Sequence, residues 1–387
     1  MKKIAMIPLR AGSKSIKNKN RKKMLGRPLF TWVLGEAYHS NLNQVYVFTD
    51  DKEIIDYVEK EYKYTDKIKV LQRSEESSTD TASTEFAMKE FVNSIDHDYD
   101  LLFLLQATSP LSTKEAINKV IEKIEKDSYD SALTVVENKR FIWDKCGNSI
   151  NYDYNNRPRR QDFEGYLVEN GAIYGTTKQQ FEKSGIRIGG NIGIVKMPED
   201  TLIEIDEPND WYIVENLLEN RLRKNKKKNS KIKALFLDVD GVFTKGTVYF
   251  DNNGELLKEF SLRDGMGLEI LRENDIEVFV ITSENSDIVK SRMNKLKIDN
   301  YYPGVKDKYT KIEDILIDRN YKREEIAYVG DDINDLSNLI SVGWSFCPKN
   351  AVKEIKDKVD IILNNDGGRE AIREAVSFII EYNKRED

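Results

Sequence analysis

The 387-residue chain predicts two successive α/β domains of different design. Short apolar runs alternate with helix-like stretches through the first 220 residues, as in an open, mostly parallel sheet. A polar, basic run, RLRKNKKKNSKIK at 221–233, then interrupts the pattern. Beyond it a second alternation begins without repeating the first. The expected division is therefore a first domain over 1–222, a basic linker over 223–233 and a second domain over 234–387.

In the first domain the strand candidates are Ile4–Pro8, Val45–Thr49, Asp100–Leu105, Ser131–Val136, Gly171–Tyr174 and Ile192–Val195. Each is a short apolar run of the kind a buried strand requires. Helices are expected over Pro28–Tyr38, Glu53–Tyr62, Thr81–Ser94, Thr113–Lys126 and Asn209–Arg221, with Pro28 as a first-turn proline. In the second domain, strands are expected over Ala234–Leu237, Val278–Thr282, Ile326–Val329 and Ile361–Leu363, with a hairpin over Val248–Asp251 and Leu256–Phe260. Helices are expected over Gly267–Glu273, Ser286–Lys295, Lys308–Arg319 and Asp335–Leu339.

Composition narrows the chemistry. Acids and bases nearly cancel at a net charge of −6, which argues against a general nucleic-acid binder. The two cysteines, Cys146 and Cys347, lie far apart without a CxxC, so neither a disulfide framework nor a structural zinc site is expected, and a reducing cytoplasm fits. With only His39 and His97 available, catalysis must run on carboxylates, Lys, Arg, hydroxyls and metal ions. The apolar run at the N-terminus is too short for a signal peptide, and no stretch approaches a membrane span of about 20 residues.

Two places carry chemistry-bearing residues. After the first strand comes a loop with Arg10, Gly12, Ser13, Lys14, Lys17 and Lys19. Such a loop suits a phosphate-bearing ligand, and it also suits an ordinary solvated surface, since neither a dinucleotide fingerprint nor a Walker loop is present. The second place is LFLDVDGVFT at 235–244, where Asp238 and Asp240 leave the end of a buried strand. Thr282, Lys308 and the Gly330-Asp331-Asp332 turn with Asp335 stand at matching ends of later strands.

This second set resembles the haloacid dehalogenase superfamily of phosphatases over Lys233 to about Ile380. The resemblance implies Asp238 as nucleophile, Asp240 as general acid and base, and Thr282 and Lys308 as holders of the phosphoryl oxygens. It implies Mg²⁺ on Asp238, the Asp240 carbonyl and Asp331, supported by Asp332 and Asp335. Only 43 residues separate Asp238 from Thr282, and 25 separate Thr282 from Lys308, so no large cap domain fits. A capless form is similar to the sugar-acid phosphatases of ketodeoxyoctonate 8-phosphate and N-acylneuraminate 9-phosphate. That likeness implies a homotetramer built on this domain, with Arg263 and Arg369 reaching an acidic sugar.

The first domain resembles the cytidylyltransferases of nonulosonic acids through seven ordered motifs, IPLRAGSKSIKNKN, VYVFTDDKEI, RSEESSTDTAST, LLQATSP, RRQD, ENGAIY and IEIDEPND. The fold implied is a Rossmann-like nucleotidyltransferase sheet. The resemblance gives Arg10, Ser13, Lys14, Lys19 and Asn20 to the CTP triphosphate and ribose, and Arg73 and Thr84 to positioning the nucleotide. Gln106, Thr108, Ser109, Arg160 and Tyr174 would contact the sugar acid. Glu204 and Asp206 would hold a second Mg²⁺, read here as alternate residues of one strand, with Glu204 standing where sialate enzymes carry aspartate.

The implied protein is bifunctional. Its phosphatase frees a nonulosonate, a small-molecule substrate, and its synthetase activates that acid with CTP, with no nucleic acid or membrane partner. The sialate-like form of Gln106–Pro110 favours a nine-carbon acid, an N-acylneuraminate, with the nine-carbon legionaminate or pseudaminate, or ketodeoxyoctonate, as alternatives. A non-catalytic assembly module is the other reading of the second domain.

Overall fold

The computed structural model describes residues 1–226, 229–252 and 254–385. The chain divides into two compact units, Met1–Lys22 with Pro28–Leu217, and Lys23–Arg27 with Leu218–Asp387. Both are α/β, and among the described residues no helix is long and apolar enough to cross a membrane. The central KK of the basic linker, 227–228, lies outside the described residues.

The first unit is built on seven strands: β1 (Lys3–Leu9), β2 (Gln44–Thr49), β3 (Ile68–Gln72), β4 (Leu101–Leu105), β5 (Ser131–Asn138), β6 (Tyr166–Thr177) and β7 (Ile192–Met197). Their order is β3-β2-β1-β4-β6-β5-β7. All neighbouring pairs are parallel except those of β6, which runs antiparallel to β4 and β5. The chain steps outward from β1 to β2 and β3, then returns to β4 on the other side of β1. A crevice therefore opens beyond the C-terminal ends of β1 and β4, where open sheets bind ligands. Both strands are apolar because helices cover both faces; Ile4, Met6, Leu102 and Leu104 face one core cluster, and Ala5, Ile7, Phe103 and Leu105 the other.

Side-chain caps set the helix starts. Asp51, Ser83, Thr113 and Thr177 cap α2 (Lys52–Glu61), α3 (Thr84–Ser94), α4 (Lys114–Glu125) and α5 (Lys178–Ser184). The first helix, α1 (Leu29–Tyr38), begins one residue later than expected: Pro28 has ψ 138°, so it stands before the helix and not in its first turn. The edge strand β3 was not expected. Its IKVLQ sequence is only half-buried and gives a weak apolar signal. The sixth helix, α6, spans Pro208–Leu222.

In the second unit a six-stranded, all-parallel sheet has the order β12-β11-β8-β13-β14-β15. These are β8 (Ala234–Leu237), β11 (Glu277–Ile281), β12 (Tyr301–Tyr302), β13 (Ile326–Val329), β14 (Trp344–Cys347) and β15 (Ile361–Ile362). Between β8 and β11 lies a hairpin of β9 (Tyr249–Asp251) and β10 (Gly254–Leu257), shorter than expected and with Asn253 of its turn outside the described residues. The helices are α7 (Leu262–Glu273), α8 (Asp287–Lys295), α9 (Lys308–Arg319), α10 (Leu336–Ser341), α11 (Lys353–Lys356) and α12 (Ala371–Arg385). Again the chain moves outward from the central β8, then returns to β13, and the crevice lies between the ends of β8 and β13.

Candidate active sites

The second unit concentrates its charge at that crevice. Asp238 and Asp240 follow β8, Thr282 follows β11, and Asp331 follows β13. Asp307 caps α9 by accepting the Thr310 N–H, which places Lys308 at the first helical position. The Lys308 ammonium is buried, 2.8 Å from Asp238 Oδ1 and 2.7 Å from Asp335 Oδ1. Asp335 Oδ1 also accepts the Tyr328 hydroxyl at 2.7 Å, and its Oδ2 accepts the Asp331 N–H. Asp335 thus orients its neighbours, and Asp332 caps the following turn through the Ile333 N–H. A pocket of about 270 Å³ is lined by Asp238, Asp240, Thr282, Glu284, Asp331 and Asn334, among others.

Carboxylate oxygens of Asp238, Asp331 and Asp335 lie within 4.8 Å of one another, with a single lysine among them. Burial, and then the charge of Asp335, push the Asp238 carboxyl up to about 7 against the opposing pull of Lys308. Burial and the charges of Asp335 and Asp238 push Asp331 up to about 8. Burial works against the Lys308 charge, but its two carboxylate partners outweigh it and the pKa is raised. Asp331 Oδ1 is buried and accepts no hydrogen bond. An orphaned anionic oxygen in a cluster with surplus negative charge fits a hard divalent cation. Gly241, at φ +89°, lets the Asp238–Gly241 turn pass against Asp331; a Cβ there would collide with that carboxylate.

Other expected residues of this domain stand apart. Arg263 is exposed and pairs with Glu370 at 2.6 Å, Arg369 is exposed, and neither lines the pocket. One residue was missed: Lys258, just after the hairpin, reaches Asp240 Oδ1 at 2.9 Å while almost wholly buried.

In the first unit the β1 loop folds back on itself. Arg10 and Lys14 both hold Asp80, each at 2.5 Å, and Asn20 donates to the Arg10 carbonyl at 3.2 Å. Ser13 is half-buried on the same loop. The Lys19 ammonium donates to the Ile205 carbonyl at 2.7 Å and lies 3.6 Å from Asp206. These contacts join the basic loop to the 203–206 segment. That segment is not the strand that was expected but an irregular connection held by the Ile205 N–H on the Thr108 carbonyl. It runs between a short turn at Glu199–Leu202 and α6, and among the described residues no strand completes a ladder with it. Glu204 is half-buried and Asp206 exposed; burial, then Asp206, raise the Glu204 pKa. Gly171 has φ +66°, and a Cβ on it would strike the Glu204 carboxylate.

Gln106, Thr108 and Ser109 leave the end of β4, and the Ser109 hydroxyl is buried without a partner. Thr84 opens α3, while the buried Arg73 closes its own loop by donating to Ser77 Oγ at 3.1 Å. Tyr174 is buried with its hydroxyl 3.1 Å from Glu169; burial and Glu169 push its pKa up to about 12. Arg160 is not brought to these residues. It is exposed, 3.8 Å from Glu199, in a groove lined by Val136, Glu137, Lys139 and Met197.

Comparison with known proteins assigns a family to each half of the chain. Residues 4–206 match the cytidylyltransferase family, and residues 202–375 match the haloacid dehalogenase-like hydrolases. The protein is thus a nucleotidyltransferase joined to a phosphomonoesterase. It belongs to the cytidylyltransferase family and is related along its length to N-acylneuraminate cytidylyltransferases. Of these, N-acylneuraminate cytidylyltransferase A of Danio rerio is 30% identical over 98% of this chain and 89% of its own. The 3-deoxy-D-manno-octulosonate 8-phosphate phosphatase KdsC of Haemophilus influenzae is 36% identical over 40% of this chain and 86% of its own. A cobalt-bound structure of a Haemophilus influenzae deoxy-D-mannose-octulosonate 8-phosphate phosphatase is 35% identical, with a TM-score of 0.40 over 41% of this chain and 94% of that one.

Proposed function

We propose that the first domain transfers CMP from CTP to the anomeric hydroxyl of a nonulosonic acid, releasing pyrophosphate, and that the second domain supplies that acid by hydrolysing its phosphate ester, the 9-phosphate. The relationship to N-acylneuraminate cytidylyltransferases over 98% of the chain carries the first half. The carboxylate and lysine cluster at Asp238 carries the second.

In the transferase, Arg10, Ser13, Lys14, Lys19 and Asn20 receive the triphosphate and ribose, with Arg73 and Thr84 fixing the nucleotide loop. Gln106, Thr108 and Ser109 hold the sugar acid beside Tyr174, and Arg160 reaches it once the substrate is bound. Alignment and charge neutralisation account for the rate, and Glu204 with Asp206 would hold a magnesium ion. In the phosphatase, an Asp238 oxygen attacks phosphorus, the P–O bond to the sugar breaks, and the Asp240 proton passes to the leaving oxygen. Water then gives its proton to Asp240 and attacks the aspartyl phosphate, which releases phosphate and restores Asp238. Thr282 and Lys308 hold the phosphoryl oxygens. Magnesium on Asp238, the Asp240 carbonyl and Asp331 would neutralise phosphoryl charge.

Arg263 and Arg369 lie outside the pocket of one chain, so their contact with an acidic sugar requires a second copy. Exposed Tyr249, Phe250, Leu256, Leu257, Leu262 and Met266 on this domain support a homotetramer, which sedimentation tests. The isolated cysteines support a cytoplasmic address, which cell fractionation tests.

Phosphate release from a nonulosonate 9-phosphate, compared between the wild type and Asp238→Asn, tests the phosphatase. Equal release by both would leave the second domain as an assembly module. Pyrophosphate release from CTP over a panel of sugar acids tests the transferase; turnover with another nucleotide alone would refute it.

A further inference from the structure

The hairpin of the second domain ends in Lys258, whose side chain is only 2% exposed. Burying an ammonium is costly unless it is fully paired, and Lys258 has two anionic partners, Asp240 Oδ1 at 2.9 Å and Glu255 Oε1 at 3.3 Å. Glu255 in turn accepts the hydroxyl of Ser286, which caps α8 just beyond Thr282. The lysine therefore cannot swing away without breaking a chain of contacts that runs from Asp240 to the loop carrying Thr282. Among the described residues the other side-chain contact on Asp240 is a long one, from Thr244 Oγ1 to the same Oδ1 at 3.5 Å. Both contacts fall on one oxygen, and Asp240 lines the pocket.

We propose that Lys258 is a positioning residue for the phosphatase reaction: by occupying Asp240 Oδ1 it fixes the carboxyl so that Oδ2 is the oxygen that carries the proton to the leaving group. This rests on the phosphatase reading above. In the first step the Asp240 Oδ2–H bond breaks and its proton joins the departing alkoxide. Lys258 stays protonated throughout and faces the carboxylate that forms. In the second step the same oxygen takes a proton from the attacking water. A hairpin lysine thereby gives the capless fold a fixed general acid without any lid pressing on Asp240.

The test separates this role from general support of the fold by varying the leaving group. The full chain, with magnesium, is given a primary alkyl phosphate and p-nitrophenyl phosphate, and the rate of leaving-group release in the first turnover is measured. Alkoxide departure needs the proton, whereas p-nitrophenolate departs without it. Lys258→Met should lower the alkyl rate by about 100-fold or more and the p-nitrophenyl burst by less than about fivefold. Lys258→Arg, which keeps a cation on Oδ1, should recover most of the alkyl rate. Equal losses on both esters, no loss on either, or an arginine variant no better than methionine would each overturn the proposal. If Lys258→Met melts the domain, Glu255→Gln replaces it. That variant frees Lys258 from its second anchor and should again slow the alkyl ester more than the aryl ester; parallel losses would overturn the proposal. A wild type that cleaves neither ester, and no sugar-acid phosphate, refutes the phosphatase reading and leaves the geometry of Lys258 a matter of fold alone.

Discussion

Neutralising Asp331 should stabilise the metal-free second domain while destroying its chemistry. The carboxyl is raised from 3.8 to about 8 by burial and by Asp335 and Asp238. A raised carboxyl pKa means that stability is fully present below the unfolded value and is lost as pH rises through the folded one. At pH 7 the folded domain must either hold a proton there or tolerate the repulsion. The interval above 3.8, at about 1.4 kcal/mol per unit, sets a ceiling of about 4 kcal/mol on that penalty. Asp331→Asn removes it without changing the shape. With a chelator at pH 7–8, the melting of the second domain should rise by about 5 °C or more, and by little at pH 4. Magnesium should raise the wild-type melting temperature increasingly between pH 6 and pH 8 and leave the variant unmoved, and phosphate release should vanish. Calorimetry in chelator and in magnesium reads all of this, with pyrophosphate release as the control for the first domain. A variant less stable than wild type at pH 8 in chelator would refute the electrostatic account of the cluster.

Gly171→Ala forces a left-handed backbone on alanine and drives its Cβ into Glu204, so cytidylyl transfer should fall about tenfold or more while phosphate release is unchanged. Steady-state assays of both activities check this; an unchanged transferase would remove Glu204 from the site. Asp80→Asn releases Arg10 and Lys14 from the carboxylate they now share, which competes with a triphosphate for the same cations. The KM for CTP should drop about two- to fivefold. A rise in KM would show instead that Asp80 shapes the loop.

What could be read from the sequence follows from how each signal arises. Fully buried strands such as LLFLL at 101–105 and ALFL at 234–237 announce themselves as unbroken apolar runs. Carboxylates at the ends of such strands were therefore visible with them. Half-exposed β3 and the short strand at Trp344–Cys347 carry no such run and were missed. The 203–206 segment reads as a strand because Ile203 and Ile205 alternate with acids, yet among the described residues no strand forms a ladder with it. Lys258 was invisible for another reason. A lysine beside Glu255 and Glu259 looks like solvated surface, and only the fold reveals that its ammonium is buried against Asp240. Arg160 shows the converse: its motif is clear, but its position depends on a long, irregular connection between β5 and β6.

The buried triad of Lys308, Asp238 and Asp335 bears on how such a domain would decay. Charges held out of water beyond the C-terminal ends of central strands cost stability, and similarly shaped neutral side chains are often tolerated as well or better. Drift under selection for folding alone would erode them early, beginning with Asp238, whose ionisation the domain already resists. A lineage that kept this domain only as a platform for assembly would gain by letting them go. In this chain the set is whole, and thermodynamic fitness gives no reason for that; turnover does.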